Sequence, residues 1–440
     1  MSWIFLAIFI ITVLITLRSN SDLFSPSRFF IVLYSLLLGI YHLKLSILQT
    51  PWNPTTNQLF WSSVTLFLAG NLIVYFVFRI KNYPAMYDFP SIRQKMRIDS
   101  MTINWGHFKS IWFVCLAIFI ISYLSSLIRV GGIPMLSDEP DRIRLAFIGA
   151  SMLTNIGLFF GPVGIMFGIE YVLINKVTRK EICFLVLPTL FVVFLYFTIV
   201  TRVDIFRVLI FAVVFFNYSK KNLNLKQAFL FGAIAVVLFV SIMFMRSSNE
   251  VFETFSNTVK MRLPSKFVWV ANPYAYIINN FWNFDYAVEK FIEGANEFHY
   301  GRGFYFFRSF FCLTMTEGAM LDSYGMESIY NHSVAKIGNL NTVVYMWHMI
   351  TDFGVTGLFV FSFAAGLILA IFYYNTMKSP TLFRVNVWGI IIGMIFFSFM
   401  IPMWQFWFAW VNIFLVALAH GKIGILNPAN RQKLELKVKC

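Results

Sequence analysis

Long apolar stretches with almost no charge fix what this chain can become. Segments such as 182–200 and 228–245 approach the roughly 20 residues a helix needs to cross a hydrocarbon layer. In that layer every backbone N–H and C=O must bond within the protein, and a helix achieves this inside one segment. Such runs recur along the whole chain, which is 59% hydrophobic and 12% charged, with mean hydropathy +0.72. A soluble domain has no use for so much apolar surface. The sequence therefore predicts an all-α polytopic integral membrane protein, with about eleven transmembrane helices in a range of about ten to twelve.

The net charge of +15 raises the question of nucleic acid. Its distribution answers no. Segments 18–28, 79–109, 175–181, 218–226, 378–384 and 422–440 carry 21 Lys/Arg against 5 Asp/Glu. The rest of the chain is close to neutral. Basic residues gathered in alternate connections are the mark of the cytoplasmic side. They also suit the anionic headgroups of membrane lipids. The segment 79–100 reads as a solvated basic loop of that side.

These signals divide the chain. Residues 1–245 make spans one to eight, and 246–340 form one large outer loop between spans eight and nine. Residues 341–421 make spans nine to eleven, and 422–440 form a basic cytoplasmic tail. The N-terminus is outside, and its first span has no basic n-region or small-residue cleavage site, so it reads as uncleaved. The loop 246–340 is the longest segment that is not one apolar run. A loop of that length is usually functional, and it is taken as a cap over an active site. Cys115, Cys183, Cys312 and Cys440 are scattered and suggest neither a disulfide nor a metal site.

Three outward segments carry arginine against the charge rule. They hold Arg129, Arg142 and Arg144; Arg202 and Arg207; and Arg246, Arg302 and Arg308 with the rest of the large loop. A guanidinium is a planar fork of permanent donors that fits phosphate and diphosphate oxygens. The alternative is pairing with nearby carboxylates such as Asp138, Glu139, Asp141 and Asp204. Asp204 and Arg207 stand three apart and pair if their segment is helical. For proton transfer the loop offers His299, His332 and Glu317, with Asp322 and Glu327 behind them. Its aromatics, including Trp269, Tyr274, Tyr276, Trp282, Tyr300 and Tyr305, suit either stacking on sugar faces or an interfacial cap. No zinc-protease, nucleophile-elbow, phosphate-loop or C-x-x-C motif occurs, and no D-x-D pair suited to a metal–nucleotide sugar.

Three stretches together resemble a known family. They are RVGGIPMLSDEPDRIR, TRVDIFR, and NLNTVVYMWHMITDFGVTG with its D-F-G-x-x-G pattern at Asp352, Gly354 and Gly357. In these and in layout the chain resembles the Wzy-type O-antigen or capsular polysaccharide polymerases, also called oligosaccharide repeat-unit polymerases. The resemblance implies a multi-pass glycosyltransferase of the bacterial inner membrane, working at its periplasmic face without metal or cofactor. Its substrates would be undecaprenyl-diphosphate-linked repeat units, joined into O-antigen or capsule. A flippase and a chain-length regulator of the same pathway would be its partners. By position, Arg129, Arg142, Arg144, Arg202, Arg207, Arg246, Arg302, Arg308 and Asp352 would bind diphosphate or glycan. O-antigen ligase and polysaccharide flippase are the alternatives. Ligases carry a His-Asn pair where this chain has Val343-Val344. The R-x10-G pattern of some polymerases is also missing, because Leu153 and Asn155 stand where Arg142 and Arg144 would require glycine.

Overall fold

A computed structural model describes residues 2–18, 21–80, 88–246, 256–262, 264–294, 301, 303, 306 and 342–423. In chain order its helices are α1 (Ser2–Arg18), α2 (Pro26–Tyr41), α3 (Pro54–Ile80), α4 (Phe89–Thr102), α5 (Trp105–Val130), α6 (Pro140–Ile148), α7 (Met152–Leu158) and α8 (Phe160–Ile174). Then come α9 (Arg179–Ile199), α10 (Arg202–Ser219), α11 (Leu225–Arg246), α12 (Ala271–Val288), α13 (Tyr345–Lys378), α14 (Leu382–Phe397) and α15 (Trp407–Ala419). Among the described residues there is no strand, only an isolated antiparallel bridge between Ser46 and Met261. Among the described residues, six helices are long and apolar enough to cross a membrane, and four shorter ones are apolar. This is the architecture of a multi-pass helical membrane protein. On α11 the exposed side chains include Phe229, Leu230, Val236 and Val237. An apolar outer face of that kind suits acyl chains and not water.

The chain divides into two compact units. The first contains residues 1–86, 248–375 and 394–407. Here α3 and α13 touch backbone to backbone. A Cβ on Gly366 would lie 2.2 Å from the carbonyl oxygen of Phe67, and one on Gly70 would lie 2.5 Å from that of Phe363. Membrane helices lack a hydrophobic drive toward one another, so close packing through small residues takes its place. Hydroxyl pairs join the same helices: Ser63 bonds Ser362 at 2.5 Å and Tyr345 at 3.2 Å. The Tyr373 hydroxyl donates to buried Asp22 at 2.6 Å.

Helix α12 lies in this unit, inside the segment assigned to the outer loop. Tyr274, Ile278, Phe281 and Asp285 recur at helical spacing and face the α2–α3 corner. Phe281 packs on Tyr41, Trp52 and Phe60. The Tyr274 hydroxyl donates to Gln49 Oε1 at 2.6 Å and accepts from the Leu45 N–H at 3.0 Å. Burial pushes this phenol up to about 12. Tyr274 and Trp282, two of the aromatics read as either sugar stackers or an interfacial cap, are thus packed inside, whereas Trp269 is 38% exposed.

The second unit contains residues 87–247, 376–393 and 408–440. Its centre is a glycine seam on α7 and α8. Gly157, Gly161, Gly164 and Gly168 meet Ser122, Phe119, Leu116 and Trp112 of α5. Any Cβ at Gly157 would fall 1.7 Å from Ser122 Oγ. The Trp112 indole donates to Thr189 at 3.1 Å, and Tyr123 bonds Thr198 at 2.6 Å, tying α5 to α9. His420 Nε2 and Glu170 Oε1 are buried 2.9 Å apart.

One segment differs from its sequence reading. Residues 89–102, read as a solvated loop, form α4. Asp88 caps it by accepting the Ser91 N–H at 3.2 Å, with proline at the first helical positions. Phe89, Ile92 and Met96 form a buried stripe. Arg93 bonds Asn222 and the carbonyl of Asn217, so this helix is docked as well as basic.

Candidate functional site

Five of the arginines expected to face outward belong to the second unit, at one end of its helices. Tyr123 beside Thr198 sets the C-terminal ends of α5 and α9 side by side. Helix α10 starts immediately beyond α9, and its Arg202 lies over the Phe239 ring of α11 at 5.3 Å. Arg129, in the last turn of α5, donates to the Ala150 carbonyl at 3.0 Å. On α6, Arg142 pairs with Glu139 at 2.9 Å and Arg144 with Asp141 at 3.3 Å. The Arg142 side chain remains 81% exposed, so that pair is weak and its fork stays available.

Arg207 is held differently. It is buried, and its Nη1 donates to Asp204 Oδ1 at 3.0 Å. Its Nη2 donates to the Asn412 amide oxygen at 2.5 Å, when that oxygen is turned toward it. The guanidinium lies over the Phe408 ring at 4.5 Å. Arg202 and Arg207 are five residues apart, which puts them about 140° apart around the helix. Arg207 therefore braces α10 against α15, while Arg202 occupies another face. Asp204 also lines an apolar groove of about 300 Å³ with Pro162, Ile165, Val193, Tyr196, Phe197, Ile205 and Val208. Just before this helix Val200 adopts a left-handed conformation (φ 59°, ψ 32°) while fully buried. A β-branched residue there costs on the order of 1–3 kcal/mol, so packing holds the α9–α10 turn in one shape.

In the first unit the D-F-G-x-x-G stretch is a break in a long helix. α13 is interrupted at Gly354, where φ is 70° and ψ is −174°. That region is open essentially to glycine alone. The first half-helix therefore ends at Asp352-Phe353. The Thr351 carbonyl accepts the Gly301 N–H at 2.8 Å, and Asp352 Oδ2 accepts the Phe306 N–H at 2.5 Å. Asp352 is 1% exposed. Phe306 packs edge-on against Phe353 and Phe361. Interrupted membrane helices put free backbone polarity where ligands are bound. Here that polarity docks part of the loop.

The structure thus brings Arg129, Arg142, Arg144, Arg202 and Arg207 to one end of one unit and places Asp352 in the other. His299, His332, Glu317, Arg302 and Arg308 lie outside the described residues, as does the side chain of Arg246. The sequence reading missed a polar stripe on α12: Asn272, Tyr276, Asn279, Asn280 and Asn283 fall within an arc of about 100°. Its spacing, N-x3-Y-x2-N-N-x2-N, is visible at helical period once the segment is known to be helical.

Comparison of the chain with protein-family models, curated proteins and solved structures finds no match in any of them.

Proposed function

We propose that the protein polymerises undecaprenyl-diphosphate-linked repeat units into O-antigen or capsule at the periplasmic face of the bacterial inner membrane. One observation carries this reading: Arg129, Arg142, Arg144 and Arg202 stand at the end of the second unit that the charge distribution assigns to the outside, while Arg207 braces α10 against α15. The apolar helices support a multi-pass membrane protein, and the charge distribution favours about eleven spans with a periplasmic N-terminus and a cytoplasmic tail. In the reaction, a sugar hydroxyl of one lipid-linked unit attacks the anomeric carbon of the glycan on another. The bond from that carbon to the diphosphate breaks, and the diphosphate leaves with its charge. Arg202, Arg142 and Arg144 meet the charge with forked donors, and Arg129 adds to the field. The hydroxyl proton passes to a base of the large loop, for which His299, His332 and Glu317 are the candidates. Asp352, which accepts the Phe306 N–H, fixes part of that loop.

Ligase activity is the second reading, and Val343-Val344 in place of His-Asn speaks against it. A strain lacking the gene, carrying it back on a plasmid, tests the proposal. Wild-type protein should restore long glycan. Arg202→Lys should leave single or short repeats at normal protein level, since lysine keeps charge but loses the fork. Full-length polymer without the gene would end the polymerase reading.

A further inference from the structure

Buried amide oxygens normally accept a hydrogen bond, and leaving one without a partner costs about 1–3 kcal/mol. Helix α12 carries three that accept none among the described residues: Oδ1 of Asn272, Asn279 and Asn280. These residues are 7%, 2% and 0% exposed. Two of them are oriented by their own NH2 groups. Asn279 Nδ2 donates to Thr342 Oγ1 at 3.2 Å, and Asn280 Nδ2 donates to the Tyr276 carbonyl at 2.5 Å. Asn283, in the same arc, donates to the Thr342 carbonyl at 2.8 Å. The unpartnered oxygens of Asn272, Asn279 and Asn280 present acceptors.

The stripe ties the helix to Thr342. The opposite face seats it on the α2–α3 corner, through Tyr274, Phe281 and Asp285, whose Oδ1 accepts the Asn53 N–H at 2.9 Å. The arc from Asn272 to Asn283 is about 16 Å long at 1.5 Å per residue. Tyr276 in its middle is part-exposed. No carboxylate lies in the arc, which disfavours a hard cation, and acceptors repel an anion. What such a row fits is a neutral ligand rich in donors.

We propose that the amide stripe of α12 is a binding surface for the hydroxyl and amide N–H donors of a neutral oligosaccharide. The inference rests on the reading of the protein as acting on glycans, and it supplies the subsite that reading leaves open. Thr342, which two of the amides grip, leads directly into the half-helix bearing Asp352.

The test is direct binding, which does not need turnover. Oligosaccharides are released by mild acid from the lipid-linked pool of the deletion strain and titrated into purified full-length protein. Asn280→Leu and, separately, Asn272→Leu remove an acceptor at similar volume, and an apolar side chain in place of a buried oxygen without a partner should cost little. Both variants should melt close to wild type and bind at least tenfold more weakly. Equal binding by wild type and variants, or no binding by wild type, overturns the proposal and leaves the stripe to water. Binding that follows this pattern in a protein that fails to restore polymer would overturn the polymerase reading and keep the stripe.

Discussion

The Arg207 guanidinium is 3.0 Å from the Asp204 carboxylate, and both side chains are nearly sealed from solvent, 7% and 13% exposed. Phe408 covers the arginine. A buried pair of this kind contributes little over an apolar replacement, but breaking it leaves a charge without compensation. Asp204→Asn should therefore cost about 3–5 kcal/mol. The double variant Asp204→Asn with Arg207→Met should be more stable than Asp204→Asn alone. Thermal melting of the three purified proteins checks this. A double variant less stable than the single would mean that Arg207 has other compensation.

Close helix contact gives a second expectation. Gly366→Leu forces a side chain into the space of the Phe67 carbonyl, 2.2 Å from where its Cβ must lie. Backbone cannot move aside as a flexible side chain can, so the α3–α13 contact should separate and the protein should fail to accumulate. Gly232, on α11, has nothing within 4 Å of its Cβ position. Gly232→Ala should stabilise by roughly 0.5–1 kcal/mol through helix propensity alone. Membrane-fraction immunoblots with melting curves distinguish the two outcomes.

The apolar helices were legible because membrane-length runs admit no other backbone solution. The Asp204–Arg207 pair was legible because three-residue spacing on a helix brings side chains together. Helix α4 was not, because its charge drew the reading away from Phe89, Ile92 and Met96, whose spacing does mark a buried face. Nor was α12, where aromatics and asparagines alternate too densely to separate packing from recognition by composition. Its two faces become distinct only once Phe281 is seen against Trp52 and Asn283 against Thr342. The role of Gly354 also needed coordinates. A glycine in an apolar helix usually marks close packing, and only its dihedral angles reveal a break.

That break makes a third expectation. At φ 70° and ψ −174° any side chain costs about 1–3 kcal/mol. Gly354→Ala either bears that strain or continues the helix through the break, which moves Asp352 away from the Phe306 N–H. Glycan polymerisation should fall by tenfold or more while the protein still inserts. Gly354→Asn should do no better, since asparagine tolerates the left-handed helical region but not this one. Wild-type chain lengths from either variant would show that the break is dispensable.

Topology can be read without chemistry. Basic residues hold their segments in the cytoplasm, so the 246–340 region should lie outside and the 422–440 tail inside. Alkaline phosphatase, active only after export, should be active when fused after Lys290 and inactive when fused after Lys433. The opposite pattern would place the arginines assigned to diphosphate binding on the cytoplasmic side and end the polymerase reading.

If the protein polymerises glycan as proposed, the reaction should not require a divalent metal. Diphosphate is a good leaving group, and preorganised arginine donors stabilise the charge that develops on it. Magnesium sites of this chemistry usually combine one or two carboxylates with phosphate oxygens. The nearest candidates are Asp138, Glu139 and Asp141. Glu139 lies 2.9 Å from Arg142 and Asp141 3.3 Å from Arg144, so a cation at these two carboxylates would have to compete with the arginines. Purified protein given synthetic lipid-linked repeat units should therefore elongate them equally with and without EDTA. Loss of elongation on chelation, restored by Mg²⁺ or Mn²⁺, would overturn the arginine mechanism. It would require Glu139 and Asp141 to release their arginines and turn toward the metal, and Glu139→Gln would then abolish the rescue.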